Sequence, residues 1–512
     1  MRIERTKNSL RNFAFGVLLK IYQTFVPFAM RTLMIYFMGV QYLGLNGLFT
    51  SILQVLNLAE LGVGSAMVYS MYKPIAEDNE TKICALMGLY KKYYTMIGFV
   101  IALGGSILTP FIPYLIKSDM PADLNVYILY LLNLAATVLS YWMFAYKNAL
   151  FQAHQRLDVT SKTSLITTTI QYGLQAFIII FVKDYYLYVI VALSTQGLTN
   201  LITAFIASKM YPTYEPKGKL EKSELKEINR QIKDLFTAKF GGVILNSADT
   251  VVISAFLGLT VLAEYQNYYF ILSSIMGLVT VLFNSCTAGI GNSIVVETRE
   301  KNYADFKKLF FLIVWIAGWC TCCLLCIYKP FMKLWVGSDL MLPFSVVILL
   351  CIYYYIYEIN QLLNVYKDAA GIWHKDRYRP LITALSNLVL NLLMVQFWGV
   401  YGIILSTIIA TLFIGMPWLT HNLFTTLFDT SEMKKFIASM LSKTLIVILV
   451  CGVTYFASSI LDFSDIGNLI YRGAVCCIIS NLAFYVLLRK HQEYKECVNL
   501  IGKILHLSLI HI

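Results

Sequence analysis

Charged residues are scarce in this sequence: Asp, Glu, Lys and Arg make up only 14% of its 512 residues, whereas hydrophobic residues make up 58%. Soluble proteins of this size are far more polar, so the composition excludes a typical soluble globular protein. The sequence also lacks the G-x-x-x-x-G-K-[ST] phosphate-binding motif and the H-E-x-x-H zinc motif. These absences argue against ATP as the energy source and against a zinc hydrolase.

Histidine and cysteine give equally little support to catalysis or metal binding. The six His lie in connections, at the ends of apolar stretches or in the tail. Most of the 11 Cys lie within apolar stretches, and none combines metal-ligand spacing with a nearby His. We interpret them as small buried hydrophobic residues. We therefore expect no catalytic residues, no metal site and no cofactor, and we expect a protein that is not an enzyme.

Long apolar stretches, in contrast, are abundant. A run of roughly 18 or more apolar residues is typical of a membrane-spanning helix, and a helix satisfies its own backbone hydrogen bonds in lipid. We therefore predict an all-α integral membrane protein with about fourteen transmembrane helices. The predicted spans are 12–37, 45–69, 93–115, 124–146, 162–182, 185–208, 238–258, 265–290, 307–328, 342–366, 379–398, 400–424, 438–460 and 467–488.

Positive charges are distributed unevenly among the connections between these spans. Of the 41 Lys and Arg residues, 33 lie in the N-terminus, in the tail and in every second connection. The opposite connections carry only Lys117, Lys183, Lys329 and Lys333. Because connections rich in Lys and Arg stay in the cytoplasm, both termini are predicted to be cytoplasmic. The net charge of +12 is thus an orientation signal, and nucleic-acid binding is not expected.

A long polar segment separates the first six spans from the next six. Within it, apolar residues recur at helical spacing among Lys and Glu, namely Leu225, Ile228, Ile232 and Leu235. This pattern predicts an amphipathic helix on the cytoplasmic membrane surface. The predicted domains are an N-terminal six-helix lobe (1–210), a cytoplasmic amphipathic linker (211–236), a C-terminal six-helix lobe (237–427) and two additional transmembrane helices with the tail (428–506).

Two short matches indicate that the six-helix lobes are duplicated. The Leu-Ile-Thr sequence that begins at Leu165 recurs at Leu381, and Gly39 and Gly258 each follow a bulky apolar run at a nearly equal shift. Because each repeat has an even number of spans, both lobes would enter the membrane in the same direction, with a pseudo-twofold axis along the membrane normal. We expect the two lobes to surround a central cavity.

Residues 507–512 (LSLIHI) match the translated end of a common sequencing adapter. We expect this segment to be an artefact, and we expect the natural C-terminus to be missing. The segment is therefore left out of the fold prediction.

Polar residues within spans are costly in lipid and mark transport pathways. Spans 1, 2, 7 and 8 carry polar stripes at helical spacing, and these spans are equivalent pairs under the predicted duplication. Small polar residues could instead join helices to one another, but the ionisable members favour a cavity. There, two cations, or a cation and a carboxylate, could bind an anion or relay a proton. The predicted substrate-binding residues are Lys20, Gln23, Arg31, Asn46, Gln54 and Asn57.

Three carboxylates lie within spans, namely Glu60, Asp249 and Glu358, and Glu358 lies near Asn360, Gln361 and Asn364, with which it could join a coupling site. Glu358 in span 10 could instead lie near the cytoplasmic interface. Asn387 and Asn391 in span 11 are one helical turn apart, so they are predicted to form hydrogen bonds between helices.

The segment from Met38 to Tyr72 resembles the first helical hairpin of polysaccharide flippases of the Wzx type. These flippases belong to the multidrug/oligosaccharidyl-lipid/polysaccharide exporter superfamily. Gln41 stands where an acidic residue is frequent in the family. Segments 147–159, 246–269 and 380–407 are also similar to family segments, so the resemblance covers nearly the whole chain. The residues that carry the family pattern in the first hairpin are Gly39, Tyr42, Gly44, Glu60, Leu61 and Gly62.

This resemblance implies a MATE-like fold with two six-helix lobes around a central cavity. It also implies transport of an undecaprenyl-diphosphate-linked oligosaccharide repeat unit from the inner to the outer leaflet of the bacterial cytoplasmic membrane, by alternating access, for O-antigen, capsule or exopolysaccharide synthesis. Lys20 and Arg31 would hold the diphosphate. The carboxylates of Glu60, Asp249 and Glu358 would be candidates for coupling transport to a proton or a sodium ion. The expected partners are the lipid-linked oligosaccharide, membrane lipids and, as a candidate, a polysaccharide polymerase.

Three alternatives stay open. A flippase for the lipid-linked peptidoglycan precursor would share the fold and a basic cavity. A cation-coupled multidrug exporter of the same superfamily would favour carboxylates and aromatic surfaces, so Lys20 and Arg31 argue against it. A membrane-embedded glycan polymerase or acyltransferase would place catalytic residues in a large outer loop, whereas the predicted outer connections are short and contain no suitable His.

Overall fold

The structure, a computed structural model, describes residues 5–60, 62–117, 120–154 and 156–498, among which no β-strand occurs. The predicted artefact 507–512 lies outside the described residues. The helices are α1 (Arg5–Phe37), α2 (Val40–Leu56), α3 (Val63–Ala76), α4 (Glu80–Leu108), α5 (Val126–Trp142), α6 (Asn148–Ala153), α7 (Leu157–Phe177), α8 (Tyr185–Met210), α9 (Lys222–Leu257), α10 (Leu259–Val296), α11 (Arg299–Val336), α12 (Phe344–Ala369), α13 (Trp373–Asp376), α14 (Arg379–Ala410), α15 (Met416–Thr426), α16 (Thr430–Ser458), α17 (Asp465–Val475) and α18 (Asn481–Leu488).

Several of these helices are suited to lipid surroundings. Within the described residues, 9 helical segments are long and apolar enough to cross a membrane, or 10 if the bent pair formed by α5 and Ala145–Ala153 is one span. Large apolar side chains such as Phe205 and Phe397 are 71% and 79% exposed, which lipid accommodates and water does not. The prediction of an all-α, multi-pass membrane protein is confirmed, while the total of about fourteen spans stays a prediction.

Two glycines occupy matching positions between long helices. Gly39 separates α1 from α2 with φ 124°, and Gly258 separates α9 from α10 with φ 98°. Side chains rarely adopt such positive φ values, so glycine is required for these sharp connections. The two similar turns agree with the duplication expected from the sequence, although the duplication itself stays a prediction.

The predicted second span, 45–69, is not one continuous helix. The helix α2 ends at Leu56, a 3₁₀ turn covers Asn57–Glu60, and α3 begins at Val63 after Gly62, whose φ is 88°. The left-handed backbone of Gly62 cannot continue an α-helix, which is why the prediction of an unbroken span was wrong here. Spans 379–398 and 400–424, in contrast, meet where predicted, at a break in α14 where Gly399 has φ 54° and ψ −133°.

The chain divides into two compact units, Met1–Gln266 and Asn267–Ile512. The first unit extends past the predicted lobe boundary at 236, because α9 packs along α2. Part of the predicted linker forms the start of α9, which continues without a break to Leu257. There Glu224 accepts a hydrogen bond from Lys82, and Tyr93 donates to Asn229 Oδ1 at 2.6 Å. The predicted amphipathic helix thus forms the first part of a longer helix and is hydrogen-bonded to α4, while its place on the cytoplasmic membrane surface stays a prediction.

Within the second unit, polar side chains join the two halves of α14. Asn387 Nδ2 donates to Thr407 Oγ1 at 2.8 Å, and Ser406 donates to Asn391 Oδ1 across the break at Gly399. Asn387 and Asn391 are fully buried. Asn387 and Asn391 thus form the predicted hydrogen bonds between helices, and the structure shows that their partners lie in the following span.

Candidate functional site

The first unit contains a partly open polar cavity of about 720 Å³, a size typical of small-molecule sites. Its wall is formed by α2, α4, α5, α6 and α8 together with the turn after α2. Amide, hydroxyl and phenol groups dominate the lining. The polar lining residues are Thr50, Gln54, Asn57, Glu60, Tyr90, Tyr94, Asn133, Thr137, Ser140, Tyr141, Asn148, Gln152, Gln196 and Asn200.

Glu60 is held in the cavity wall by phenol groups. Tyr94 donates a hydrogen bond to Oε1 of Glu60, and Tyr141 donates to Oε2 at 2.6 Å. Tyr90 in turn donates to the Tyr94 hydroxyl at 2.7 Å, and Tyr141 also donates to Asn57 Oδ1 at 3.2 Å. The three tyrosines are buried. Because each carboxylate oxygen receives a charge-assisted hydrogen bond, the carboxylate is fixed in position without a cation in this network.

The break after α2 explains why Glu60 reaches this network. The 3₁₀ turn at Asn57–Glu60 turns both polar side chains toward α4 and α5, and Gly62 then starts α3. A Cβ on Gly64 would lie 3.1 Å from the Tyr90 hydroxyl, so a small residue on α3 leaves room for the phenols. The local backbone therefore places a carboxylate where an unbroken α-helix would not.

Several cavity amides have unused hydrogen-bonding capacity. Among the described residues, the side chains of Asn148, Gln152 and Gln196 form no hydrogen bond, whereas Asn200 Nδ2 donates to the Ser140 carbonyl at 3.1 Å. Each amide offers donors and an acceptor. The lining can therefore bind a ligand that is rich in hydroxyl and amide groups.

An apolar groove of about 470 Å³ adjoins this cavity between α5 and α8. Ser140 and Leu193 belong to both the groove and the cavity. Small residues such as Ala136 and Gly197 keep the groove open. Polar and apolar binding surfaces thus share one wall.

The structure brings together three of the predicted site residues on the second predicted span. Gln54, Asn57 and Glu60 all line the cavity. Gln23 and Asn46 are exposed and do not line it. Gln23 lies on α1 and Asn46 lies near the start of α2, so both are outside the cavity wall.

Apart from Glu60, the predicted basic and acidic site residues are not among the described residues that line this cavity. Arg31 is partly buried and lies beside Tyr188 of α8, and the side chain of Lys20 lies outside the described part of the chain. Asp249 on α9 is partly buried and is not part of the cavity wall. The roles predicted for these residues stay predictions.

Glu358 belongs to the second unit, in the middle of α12. Its side chain is fully buried, and neither carboxylate oxygen has a hydrogen-bond partner among the described residues. Cys320 and Tyr354 are among its neighbours. An ionised carboxylate without a partner is costly to bury. The position therefore suits a group that exchanges a proton or receives a small cation, and the role predicted for Glu358 stays a prediction.

The residues on α4, α5, α6 and α8 were missed in the sequence. Their signal is weak because each helix contributes mainly pairs four residues apart within an otherwise apolar segment, and such pairs equally fit helix–helix contacts. The pairs are Tyr90 and Tyr94, Asn133 and Thr137, Asn148 and Gln152, and Gln196 and Asn200.

A buried histidine close to the cavity has a packing role. His154, just after α6, is 5% exposed, and its ring centroid lies 4.4 Å from that of Tyr211. Burial lowers the pKa of His154. Its Nδ1 lies 2.8 Å from the Leu150 carbonyl oxygen. The neutral ring thus stabilises the connection between α6 and α7.

Solved structures with the same fold are membrane transporters. The lipid II flippase MurJ in its inward closed conformation aligns with a TM-score of 0.64 at 14% identity, over 93% of this chain and 100% of that chain. The inward-facing conformation of a multidrug resistance MATE family transporter of the MOP superfamily aligns with a TM-score of 0.62 at 12% identity, over 82% of this chain and 99% of that chain. A MOP superfamily transporter from Pyrococcus furiosus aligns with a TM-score of 0.52 at 13% identity, over 83% of this chain and 94% of that chain. The chain therefore has the fold of MOP superfamily transporters.

The sequence identifies the family to which the chain belongs more closely than the fold does. Residues 9–287, more than half of the chain, match the family described as polysaccharide biosynthesis protein. The chain belongs to this family, which confirms the resemblance to polysaccharide flippases. No curated protein matches the sequence.

Proposed function

We propose that the protein is a flippase that moves an undecaprenyl-diphosphate-linked oligosaccharide repeat unit from the inner to the outer leaflet of the bacterial cytoplasmic membrane. The observation that carries this proposal is the amide- and phenol-lined cavity in a polysaccharide biosynthesis protein with a transporter fold. Sugar hydroxyls form hydrogen bonds with amides and carboxylates, and this lining supplies both. Both termini face the cytoplasm, and the two lobes alternate in access.

The three parts of the substrate would bind to different surfaces. The sugars occupy the cavity around Glu60. The diphosphate pairs with Arg31 and Lys20 on α1, because phosphate oxygens form strong charge-assisted hydrogen bonds. The polyprenyl chain stays in lipid next to the apolar groove between α5 and α8. A polysaccharide polymerase would receive the unit in the outer leaflet.

The energy for export can come from the membrane potential and from ion coupling. Moving one negative charge out of a negative interior is favourable by about 2.3 kcal/mol per 100 mV. Glu358 is our candidate for a coupling carboxylate because it is buried without a partner among the described residues. Asp249, which lies on α9, is a second candidate for the coupling carboxylate.

Replacing Glu358 with glutamine is therefore expected to abolish the dependence of transport on a proton or sodium gradient. Glutamine keeps the size of the side chain but cannot exchange a proton or balance a cation. Transport is measured in proteoliposomes with and without each gradient. The matched control is Glu264→Gln, which changes a partly buried carboxylate of the first unit. An unchanged gradient dependence in Glu358→Gln would remove this residue from the mechanism.

A flippase for a lipid-linked peptidoglycan precursor is the second candidate function. The alignment with the lipid II flippase over 100% of that chain favours it. Such a precursor also joins a sugar head group to a polyprenyl diphosphate. The family match to polysaccharide biosynthesis proteins favours the first candidate.

Reconstitution tests the proposed function. The purified protein is placed in vesicles with a fluorescent undecaprenyl-diphosphate-linked oligosaccharide, and an impermeant reductant reports which molecules have reached the outer leaflet. We expect a protein-dependent second phase of fluorescence loss. A matched polyprenyl-linked peptidoglycan precursor tests the second candidate in the same vesicles. Equal kinetics with and without protein for both substrates would reject both functions.

A further inference from the structure

We propose that the cavity of the first unit selects uncharged oligosaccharides and excludes sugars that carry a carboxylate, with Glu60 as the specificity-determining residue. This inference rests on the proposed function and names the class of repeat unit that the flippase would carry: neutral or acetamido sugars rather than uronic acids.

The first argument is the charge of the cavity wall. Among the described residues that line it, Glu60 is the only one with a formal charge, and no Lys or Arg belongs to that lining. Lys147 is next to the lining residue Asn148, but its ammonium donates to Ser208 and lies 5.6 Å from the Phe144 ring centroid. A carboxylate sugar would therefore meet a fixed negative charge and no described cation in the wall.

The second argument is that the Glu60 carboxylate is fixed. Its two oxygens accept hydrogen bonds from Tyr94 and Tyr141, which anchor it from α4 and α5. Carboxylate oxygens have further lone pairs, so Glu60 can still accept hydrogen bonds from sugar hydroxyls. Like charges in a partly enclosed site repel each other more strongly than in water. One side chain thus attracts hydroxyl donors and repels anions.

The third argument concerns the rest of the lining. The amides of Asn148, Gln152 and Gln196 form no hydrogen bonds with described residues, and they match the hydroxyl and acetamido groups of uncharged sugars. The ring centroids of Tyr94 and Tyr141 lie 5.3 Å apart, so apolar ring surface flanks the carboxylate. A carboxylate flanked by aromatic rings and amides suits the mixed polar and apolar faces of a pyranose.

Paired substrates test this inference. The full-length protein is reconstituted with two undecaprenyl-diphosphate-linked trisaccharides that differ only in the terminal sugar, glucose or glucuronic acid. We expect the glucose substrate to be translocated at least about tenfold faster, which corresponds to about 1.4 kcal/mol. Glu60→Gln is expected to bring this ratio to within about twofold, because it removes the like charge.

A second variant keeps the test independent of the tyrosine network. Gln152→Lys adds a cation at an exposed position of the cavity wall, and it should also reduce the ratio, whereas Gln152→Glu should increase it. Equal wild-type rates for the two substrates, or ratios that are the same in all variants, would overturn the inference and leave the proposed function intact. Failure of the wild type to move either trisaccharide would count against the proposed function itself.

Discussion

Replacing Arg31 with alanine is expected to slow translocation of a lipid-linked oligosaccharide by roughly tenfold to a hundredfold, since a hydrogen bond to a charged group contributes about 1.5–3 kcal/mol. Arg31 is a partly buried cation within α1, beside Tyr188. Phosphate groups pair strongly with guanidinium, and a charge retained within a membrane helix normally serves function. The initial rate in proteoliposomes measures the effect.

Two variants control for charge and fold in this experiment. Arg31→Lys keeps the positive charge but loses the planar guanidinium, which can donate two parallel hydrogen bonds to a phosphate. It should therefore retain more activity than Arg31→Ala. Arg230→Ala removes an equal charge from the surface, where the Arg230 side chain is 71% exposed, and should leave the rate unchanged. Membrane insertion of Arg31→Ala should be normal because alanine is readily accommodated in lipid. Wild-type rates in Arg31→Ala would show that this side chain does not bind the diphosphate.

Replacing Asp376 with alanine is expected to destabilise the second unit by about 3–5 kcal/mol, because it leaves the buried charge of Arg379 without its carboxylate partner. Arg379 contacts both oxygens of Asp376 at 2.7 Å, and the two residues are only 6% and 2% exposed. Asn422 Nδ2 also donates to Asp376 at 3.1 Å. The free energy of unfolding in mixed detergent micelles measures the loss.

The first unit contains a matched pair that serves as the control. Asp158 is fully buried, but the side chain of its partner Arg156 is 27% exposed. Water can therefore solvate Arg156 when Asp158 is removed, and Asp158→Ala should cost less than Asp376→Ala. The double variant Asp376→Ala with Arg379→Met should recover part of the stability, since the Arg379 charge is then no longer buried without a carboxylate, while Lys367 keeps its contact with Asp368. An equal or smaller loss for Asp376→Ala than for Asp158→Ala would contradict this account.

The sequence predicted the helical architecture well because lipid imposes simple rules on composition. The length of the apolar stretches was enough to predict an all-α membrane protein, and the break at Gly399 lies between two predicted spans. The break between α2 and α3 was missed, since Gly62 lies in an apolar stretch whose hydropathy does not report backbone dihedrals. The continuity of the amphipathic segment with the span that follows it was also missed, because an amphipathic pattern does not show where its helix ends.

The candidate site was only partly predictable for a similar reason. The stripe of Gln54, Asn57 and Glu60 was visible because its residues recur at helical spacing within one predicted span. The tyrosines that hold Glu60 come from α4 and α5, and only the tertiary structure brings them together. Tyrosine is common in this chain, with 35 residues, so composition could not single out Tyr94 and Tyr141.

Complementation tests the central claim most directly. The chain is expressed in a bacterium that lacks its own surface-polysaccharide flippase but assembles an uncharged repeat unit, and the leaflet position of the lipid-linked unit is followed together with surface polymer. The account predicts that surface polymer returns and that the inner-leaflet intermediate declines. Continued accumulation of that intermediate, with the protein correctly inserted and with several uncharged repeat units tried, would contradict it.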